Sequence, residues 1–201
     1  MKSLLDKFLS LRCAGDVLES LQPLDGDITR RIKESMTLIE AIRPLVLKHY
    51  KGEYKLMEFC SGVPLTAVIA AHLLPIEHAT AYVRRPKGLI KNLERVQHLK
   101  CMDIVLAQNS IPGKTIVVAP SANTKYAETI VDICRESDAP MALIPSRGKF
   151  HLSRARNMVA RDRRTDRYTL WLDQLASECD GDWRYPDSLY SVNDGLVTRG
   201  L

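Results

Sequence analysis

The sequence predicts an α/β fold in which a mostly parallel sheet has helices on both faces. Two observations predict it. Short apolar runs alternate with helical patterns over residues 54–177, which is the order that builds a parallel sheet with crossover helices. At residues 53–62 an apolar strand leads through an acidic residue into a small-residue turn, and a helical pattern follows. We expect a helical leader over residues 1–50 and a sheet domain over residues 51–201, which closes with an antiparallel strand pair.

The leader is predicted to be helical and to pack on the sheet domain. Between residues 28 and 48 apolar side chains recur at intervals of three and four, and Asp25 or Asp27 can cap the start of this helix. Residues 3–22 also have a helical pattern, with Pro23 and Gly26 as breakers. The leader is therefore expected to be part of the main core and not a separate domain.

The sheet domain alternates predicted strands with predicted helices. Strands are expected over residues 54–59, 78–83, 104–107, 115–119 and 141–144, and helices over residues 65–74, 86–99, 124–137 and 165–177. The linker at residues 111–114 is short for a crossover between parallel neighbours. Two extended stretches within residues 183–198 flank an Asn-Asp-Gly turn and form the predicted antiparallel pair.

The bulk composition favours a cytoplasmic protein without a metal. The five cysteines are scattered and form no Cys-x-x-Cys pair, which argues against a disulfide framework and a zinc site. The five histidines show no metal-ligand spacing, so no metal is assigned. No apolar run approaches the roughly 20 residues that span a bilayer, so no membrane partner is expected.

The positive charge of the chain is concentrated in one segment. The net charge is +5, and between Arg147 and Arg167 eight basic residues stand against two acidic ones. Because arginine forms forked contacts with phosphate, this segment could bind RNA or another polyanion. A solvated loop and helix face explains the charges equally well, since no aromatic residues are interleaved. The candidate contacts are Arg154, Arg156, Arg161, Arg163 and Arg164.

The strand and turn at residues 56–62, Leu-Met-Glu-Phe-Cys-Ser-Gly, resemble the first motif of class I S-adenosylmethionine-dependent methyltransferases, which have a Rossmann-like sheet. The similarity is greatest to a subset whose first turn reads Cys-Ser-Gly. Later stretches resemble the second strand with its Arg-Arg-Pro-Lys, the fourth strand, the end of the fifth strand and the closing strand pair, at residues 82–87, 116–123, 142–146 and 188–197. The resemblance covers about residues 28–199, and the order of the motifs carries it.

The resemblance implies S-adenosylmethionine as the cofactor and methyl transfer as the activity. It implies that Gly62, with Cys60 and Ser61, lines the methionine end of the cofactor through backbone contacts. Glu58 would organise the turn and could also contact the cofactor's ammonium group. Physical chemistry agrees, because a carboxylate attracts a cationic ligand and a glycine permits an approach that a Cβ atom would block.

Several positions depart from the family pattern. Val63 and Pro64 replace the second glycine of the first motif, and the second strand lacks the acidic residue that holds the ribose hydroxyls in family members. Arg84 stands in that neighbourhood and would favour a phosphate, so a phosphorylated nucleotide, or no ligand, is an alternative. No acidic residue closes the predicted third strand, which leaves Gln108 and Asn109 for the adenine.

The candidate catalytic residues follow the fourth strand. The resemblance implies that Pro120, Ser121 and Asn123 face the reacting methyl group, since ligands of open α/β sheets lie outside the carboxyl ends of the strands. Methyl transfer depends chiefly on holding donor and acceptor in line, so few dedicated residues are expected.

Two other functions stay open. The chain could be a catalytically degenerate methyltransferase-fold module that binds nucleic acid or a protein partner through its arginines. It could also be a nicotinamide-dependent oxidoreductase, which the absence of a Gly-x-Gly-x-x-Gly turn disfavours.

Overall fold

The computed structural model describes residues 3–21, 27–49, 52–60, 62–83, 93, 95–103, 111–152, 166–187, 189 and 194–201. The helices within these ranges are α1 (Leu4–Leu9), α2 (Ala14–Ser20), α3 (Ile28–Lys48), α4 (Leu65–Leu73), α5 (Thr124–Glu136) and α6 (Arg167–Glu178). The strands are β1 (Lys55–Cys60), β2 (Ala79–Val83), β3 (Leu99–Asp103), β4 (Thr115–Ala122), β5 (Met141–Pro145), β6 (Asp182–Arg184) and β7 (Leu196–Arg199).

The strands form a single seven-stranded sheet in the order β3-β2-β1-β4-β5-β7-β6. Strands β1 to β5 pair in parallel, whereas β7 runs antiparallel to both β5 and β6. This arrangement confirms the predicted parallel sheet with its closing antiparallel pair. The strand order reverses between β1 and β4, and the connections leave a crevice at the carboxyl ends of these two strands.

The third strand lies earlier in the chain than the sequence predicts. β3 begins at Leu99, which was the expected end of a helix, and it ends on Asp103 beside Val83 of β2. The predicted strand over residues 104–107 falls outside the described residues. Asp103 is the last described residue of this strand, so the expectation that no acidic residue closes the third strand stays a prediction. The short linker before β4 causes no conflict, because β3 and β4 are not neighbours in the sheet.

The central strands are buried on both faces. In β4, Ile116 and Val118 belong to the core shared with α3 and α4, whereas Val117 and Ala119 belong to the core shared with α5 and α6. All four side chains have no solvent exposure. Such burial explains why the central strands read as continuous apolar runs, without the alternation of a half-exposed sheet. Among the described helices, none combines the length and apolarity needed to cross a membrane.

The long leader helix α3 packs against α4 and over β4 and β5. Of the two candidate caps, Asp27 makes the bond: its Oδ1 accepts from the backbone N–H of Arg30 at 3.0 Å. The apolar stripe of α3 is buried in the same core as α1, α2 and one sheet face, and includes Ile32, Met36, Ile39, Ile42 and Val46. The first turns of α3 consequently lie near the carboxyl edge of the sheet.

Gly181 lies between α6 and β6, where a side chain would meet the neighbouring strand. A Cβ atom here would overlap the carbonyl oxygen of Thr198 in β7 and stand 3.0 Å from the Sγ atom of Cys179. Because the first of these atoms belongs to the backbone, Gly181→Ala forces the β6–β7 pair to shift. We expect the free energy of unfolding to fall by about 1–3 kcal/mol in chemical denaturation.

Gly15→Ala is the matched control. A Cβ atom at Gly15 would meet nothing within 4 Å, and the residue lies in the first turn of α2. Alanine favours helix over glycine, so this variant should be unchanged or up to about 1 kcal/mol more stable. Equal losses of stability in both variants would contradict the close packing at Gly181.

Candidate functional site

A cavity of about 240 Å³ lies at the carboxyl ends of β1 and β4, where the strand order reverses. Cys60, Gly62 and Val63 line it at the end of β1 and in the turn that follows. Pro120 and Ser121 line it at the end of β4. This crevice is the place where open α/β sheets bind their ligands.

The leader forms the opposite wall of the cavity. Its contribution comes from the cap and the first two turns of α3, and comprises Asp27, Arg30, Arg31, Glu34 and Ser35. Lys149, which follows β5, and Leu65, which begins α4, complete the lining. No site residue was predicted in the leader. Glu34 follows Arg30, Arg31 and Lys33 in the sequence, so no local pattern distinguishes it from the other charged residues of α3.

Arg30 connects the leader to two distant loops. Its Nε atom donates to Glu34 Oε1 at 2.8 Å, and its Nη2 atom donates to Asp194 Oδ2 at 2.7 Å and to Ser146 Oγ at 3.2 Å. Asp194 also accepts from the backbone N–H of Arg147 at 2.7 Å. Glu34, Ser146 and Asp194 are all buried. The start of α3 is thus fixed to the segment after β5 and to the residue that precedes β7.

Glu34 faces opposing electrostatic influences in this network. Burial raises its pKa above the usual value, and the nearby Asp194 carboxylate raises it further. The hydrogen bond and the charge of Arg30 lower it again. Two buried carboxylates therefore share one guanidinium, and removal of Arg30 would leave both without their cation.

Ser121 has an unusual backbone conformation at the cavity. Its φ is +52°, in the left-handed region, and it lies at an irregularity of β4 between Ala119 and Ala122. Lys149 supports this conformation, because its Nζ atom donates to the Ser121 carbonyl at 3.0 Å and to the Ser121 Oγ at 3.1 Å. A non-glycine residue in this conformation is strained and is held there by its surroundings.

Lys149 is exposed and lies near other cations. Burial lowers the pKa of its ammonium group, and Arg30 and Arg31 lower it further, whereas Glu34 raises it. The lysine comes from a single 3₁₀ turn, Arg147–Lys149, immediately after β5. Neither Lys149 nor Arg31 was predicted as a site residue, because no sequence pattern indicates which basic residues meet across the sheet.

Glu58 lies beneath the turn and does not line the cavity. Its side chain is fully buried, and its Oε2 atom accepts from the backbone N–H of Ala67 in the first turn of α4 at 2.5 Å. Burial raises the pKa of Glu58 to about 8, although hydrogen bonds from Ala67 and Thr66 lower it. At neutral pH the side chain is mostly protonated, so it ties β1 to α4 as a neutral group.

The structure brings several of the sequence-predicted residues together. Cys60 and Gly62 line the cavity, and the Cys60 thiol donates to the Gly62 carbonyl at 3.4 Å. A Cβ atom at Gly62 would meet nothing within 4 Å, so the glycine leaves open space beside the cavity. Pro120 and Ser121 also line the cavity, so residues from the first and fourth strands meet there.

Asn123 does not line this cavity. Its side chain is exposed, and its Oδ1 atom accepts from the backbone N–H of Tyr126 at 3.1 Å. This bond makes Asn123 the N-cap of α5. The remaining candidates lie outside the described residues: Ser61, Arg84, Gln108, Asn109, Arg154, Arg156, Arg161, Arg163 and Arg164. The described part of the chain contains no cluster of three His, Cys, Asp or Glu residues that could hold a metal ion.

Solved structures share this fold at low sequence identity. Thermoplasma acidophilum 1320 matches with a TM-score of 0.52 and 16% identity over 98% of this chain and 96% of its own. MtNAS in complex with MTA and tNA matches with a TM-score of 0.51 and 11% identity over 97% of this chain and 67% of its own. The fibrillarin/Nop5p complex matches with a TM-score of 0.50 and 7% identity over 79% of this chain and 78% of the matched chain.

These likenesses establish the fold alone: the chain shares the Rossmann-like α/β fold of these structures. No protein-family model matches the sequence, and no curated protein matches it significantly. The resemblance predicted from the ordered motifs is confirmed at the level of the fold. The assignment to the subset with a Cys-Ser-Gly first turn stays a prediction.

The raised pKa of Glu58 predicts a pH-dependent stability. The pKa of Glu58 is 4.5 in an ordinary environment and about 8 in the folded chain. At pH values between these two, the native state keeps a proton that the unfolded chain releases. The free energy of unfolding should therefore decrease as pH rises through this window, by up to about 1.4 kcal/mol per pH unit. Glu58→Gln removes the titration, so its stability relative to the parent should increase from pH 5 to pH 8 in urea denaturation.

The exposed Glu136 provides the control for this measurement. Glu136→Gln should leave the difference from the parent nearly constant across the same pH range. If the Glu58→Gln and parent curves are parallel between pH 5 and pH 8, the buried carboxyl does not titrate as described.

Proposed function

We propose that the protein binds S-adenosylmethionine in this cavity and transfers its methyl group to an acceptor beside the end of β4. When bound, the cofactor would supply a methyl group on a positively charged sulfur and would leave as S-adenosylhomocysteine, while the acceptor's proton would pass to solvent. The observation that carries the proposal is the cavity between Gly62 and the Pro120–Ser121 pair, at the reversal of the strand order. Both sides of the cavity come from positions that the family resemblance implies.

The lining fits the methionine end of the cofactor. The open space at Gly62 allows a ligand to approach the backbone closely. Asp27 and Glu34 provide carboxylates suited to an ammonium group, and the wall also carries cations. A volume of about 240 Å³ suits an amino-acid-sized group, since pockets that enclose a whole drug-sized ligand measure roughly 300–1,000 Å³.

The nucleoside part of the site stays a prediction. Ser61, Arg84, Gln108 and Asn109 keep the roles that the resemblance implies for them. Asp103 is a further candidate, because it ends β3 at the same edge of the sheet as the end of β2. An acidic residue at a strand end is the residue type that suits ribose hydroxyls or an adenine amino group.

The residues of the chain would act mainly by positioning. Ser121 and Pro120 would hold the acceptor near the methyl group, and Lys149 would keep Ser121 in its left-handed conformation. Such alignment is the main requirement of an in-line transfer. Asn123 is less suited to positioning the acceptor, because its side chain caps α5.

The acceptor is proposed to be RNA or another polyanion. Arg147 and Lys149 begin the basic segment and follow β5 at the same edge of the sheet as the cavity. The alternative function, a binding module without catalysis, would use the same cavity and arginines. Cofactor binding without transfer of a labelled methyl group to any RNA would favour that alternative.

A titration with cofactor tests the proposal. Gly62→Arg places a long side chain in the open space beside the cavity, so we expect its affinity for S-adenosylhomocysteine to fall at least tenfold, or about 1.4 kcal/mol. Isothermal titration calorimetry measures both proteins under the same conditions.

Gly113→Arg is the matched control, since a Cβ atom there also meets nothing within 4 Å and the residue does not line the cavity. This variant should bind as tightly as the parent. The absence of binding by the parent at millimolar S-adenosylhomocysteine and S-adenosylmethionine would remove the proposal.

A further inference from the structure

The wall of the cavity formed by α3 and Lys149 distributes its charges unevenly. Three cations line it, Arg30, Arg31 and Lys149, against the carboxylates of Asp27 and Glu34. The carboxylates of Asp27, Glu34 and the adjoining Asp194 balance these cations in number. Glu34 pairs with Arg30, and Asp27 accepts the backbone N–H at the start of α3.

Arg30 forms ion pairs with two buried carboxylates, whereas Arg31 and Lys149 form none with any described residue. Arg30 pairs with Glu34 at 2.8 Å and with Asp194 at 2.7 Å. Within the described ranges, neither Arg31 nor Lys149 has a carboxylate within ion-pair distance. Both side chains line the cavity; Arg31 is partly buried, and Lys149 is exposed at the rim. The cavity therefore presents two unpaired positive charges to whatever occupies it.

This arrangement is unfavourable in an empty cavity. Burial, and to a smaller extent Arg30 and Arg31, lower the pKa of Lys149, whereas Glu34 and Asp194 raise it. An anion placed between the cations would relieve the repulsion, and partial burial would strengthen the attraction. Two of the three ammonium hydrogens of Lys149 account for its bonds to Ser121, and the third is free to donate.

We propose that Lys149 and Arg31 form a subsite for a phosphate group of the acceptor, next to Ser121. This inference rests on the proposed function and specifies its substrate as a phosphate-bearing molecule. An ammonium and a guanidinium together match a doubly charged phosphate, for which the guanidinium supplies a forked pair of donors.

The position of the subsite favours the acceptor over the cofactor as the source of the anion. Lys149 is bonded to Ser121 at the β4 side of the cavity, whereas Gly62 lies in the turn after β1. The subsite is also continuous along the chain with the basic segment that starts at Arg147.

The test uses inorganic pyrophosphate as a phosphate probe at constant ionic strength. Phosphorus NMR would follow its binding to the full chain, with and without saturating S-adenosylhomocysteine. We expect Lys149→Gln and Arg31→Gln each to weaken pyrophosphate binding at least fivefold. Arg43→Gln, an exposed change further along the same helix, should leave binding unchanged. The affinity for S-adenosylhomocysteine should fall less than the affinity for pyrophosphate in Lys149→Gln and Arg31→Gln, and should stay unchanged in Arg43→Gln.

The outcomes separate the two proposals. Pyrophosphate binding that depends on Lys149 and Arg31, without any S-adenosylhomocysteine binding, would support the anion subsite and remove the methyltransferase function. If the variants lose affinity for S-adenosylhomocysteine but keep their affinity for pyrophosphate, the cations bind the cofactor's carboxylate. That result would overturn the inference. A parent protein that does not bind pyrophosphate under either condition also overturns it. Arg31→Gln keeps the test decisive if loss of Lys149 disturbs Ser121.

Discussion

The pairing of Arg30 with two buried carboxylates is the interaction on which the site depends. It fixes the start of α3 to Asp194 before β7 and to Ser146 after β5. Because α3 provides an entire wall of the cavity, the cavity exists only while this helix is held over the sheet edge. Loss of Arg30 would leave two buried carboxylates without this cation, and because Arg30 itself is 34% exposed, the cost should be below the roughly 3–5 kcal/mol of a fully buried pair. The leader is therefore structurally part of the site.

The sheet and its turns hold the other residues of the cavity in place. The central strands bury apolar residues on both faces and provide a rigid base. Glu58, neutral at pH 7, joins β1 to α4 and fixes the turn that contains Gly62. Lys149 holds Ser121 in a strained conformation at the end of β4. These features keep the polar groups of the cavity in place before any ligand binds, which reduces the entropy that binding must offset.

Local patterns predicted most of the fold, and long-range contacts account for what they missed. The apolar periodicity of α3 and the continuous apolar runs of the central strands were sufficient to predict these elements, because burial determines both patterns. The third strand was predicted too late in the chain, because Leu99–Asp103 mixes polar and apolar residues and resembles the end of a helix. The contacts between Arg30 and Asp194 join residues on opposite ends of the chain, and no local pattern encodes them. Asn123 was assigned from its position after a strand, although its side chain is equally suited to the cap it forms.

The central claim is that a sulfonium nucleoside lies between the Gly62 turn, the end of β4 and the start of α3. Amide hydrogen exchange with and without S-adenosylhomocysteine tests it directly. The account predicts slower exchange in residues 62–67, 118–122 and 28–35, and no change in β6. Unchanged exchange in all three segments would contradict it. So would protection confined to the second groove, which is lined by Lys7, Lys33 and Tyr185 among others.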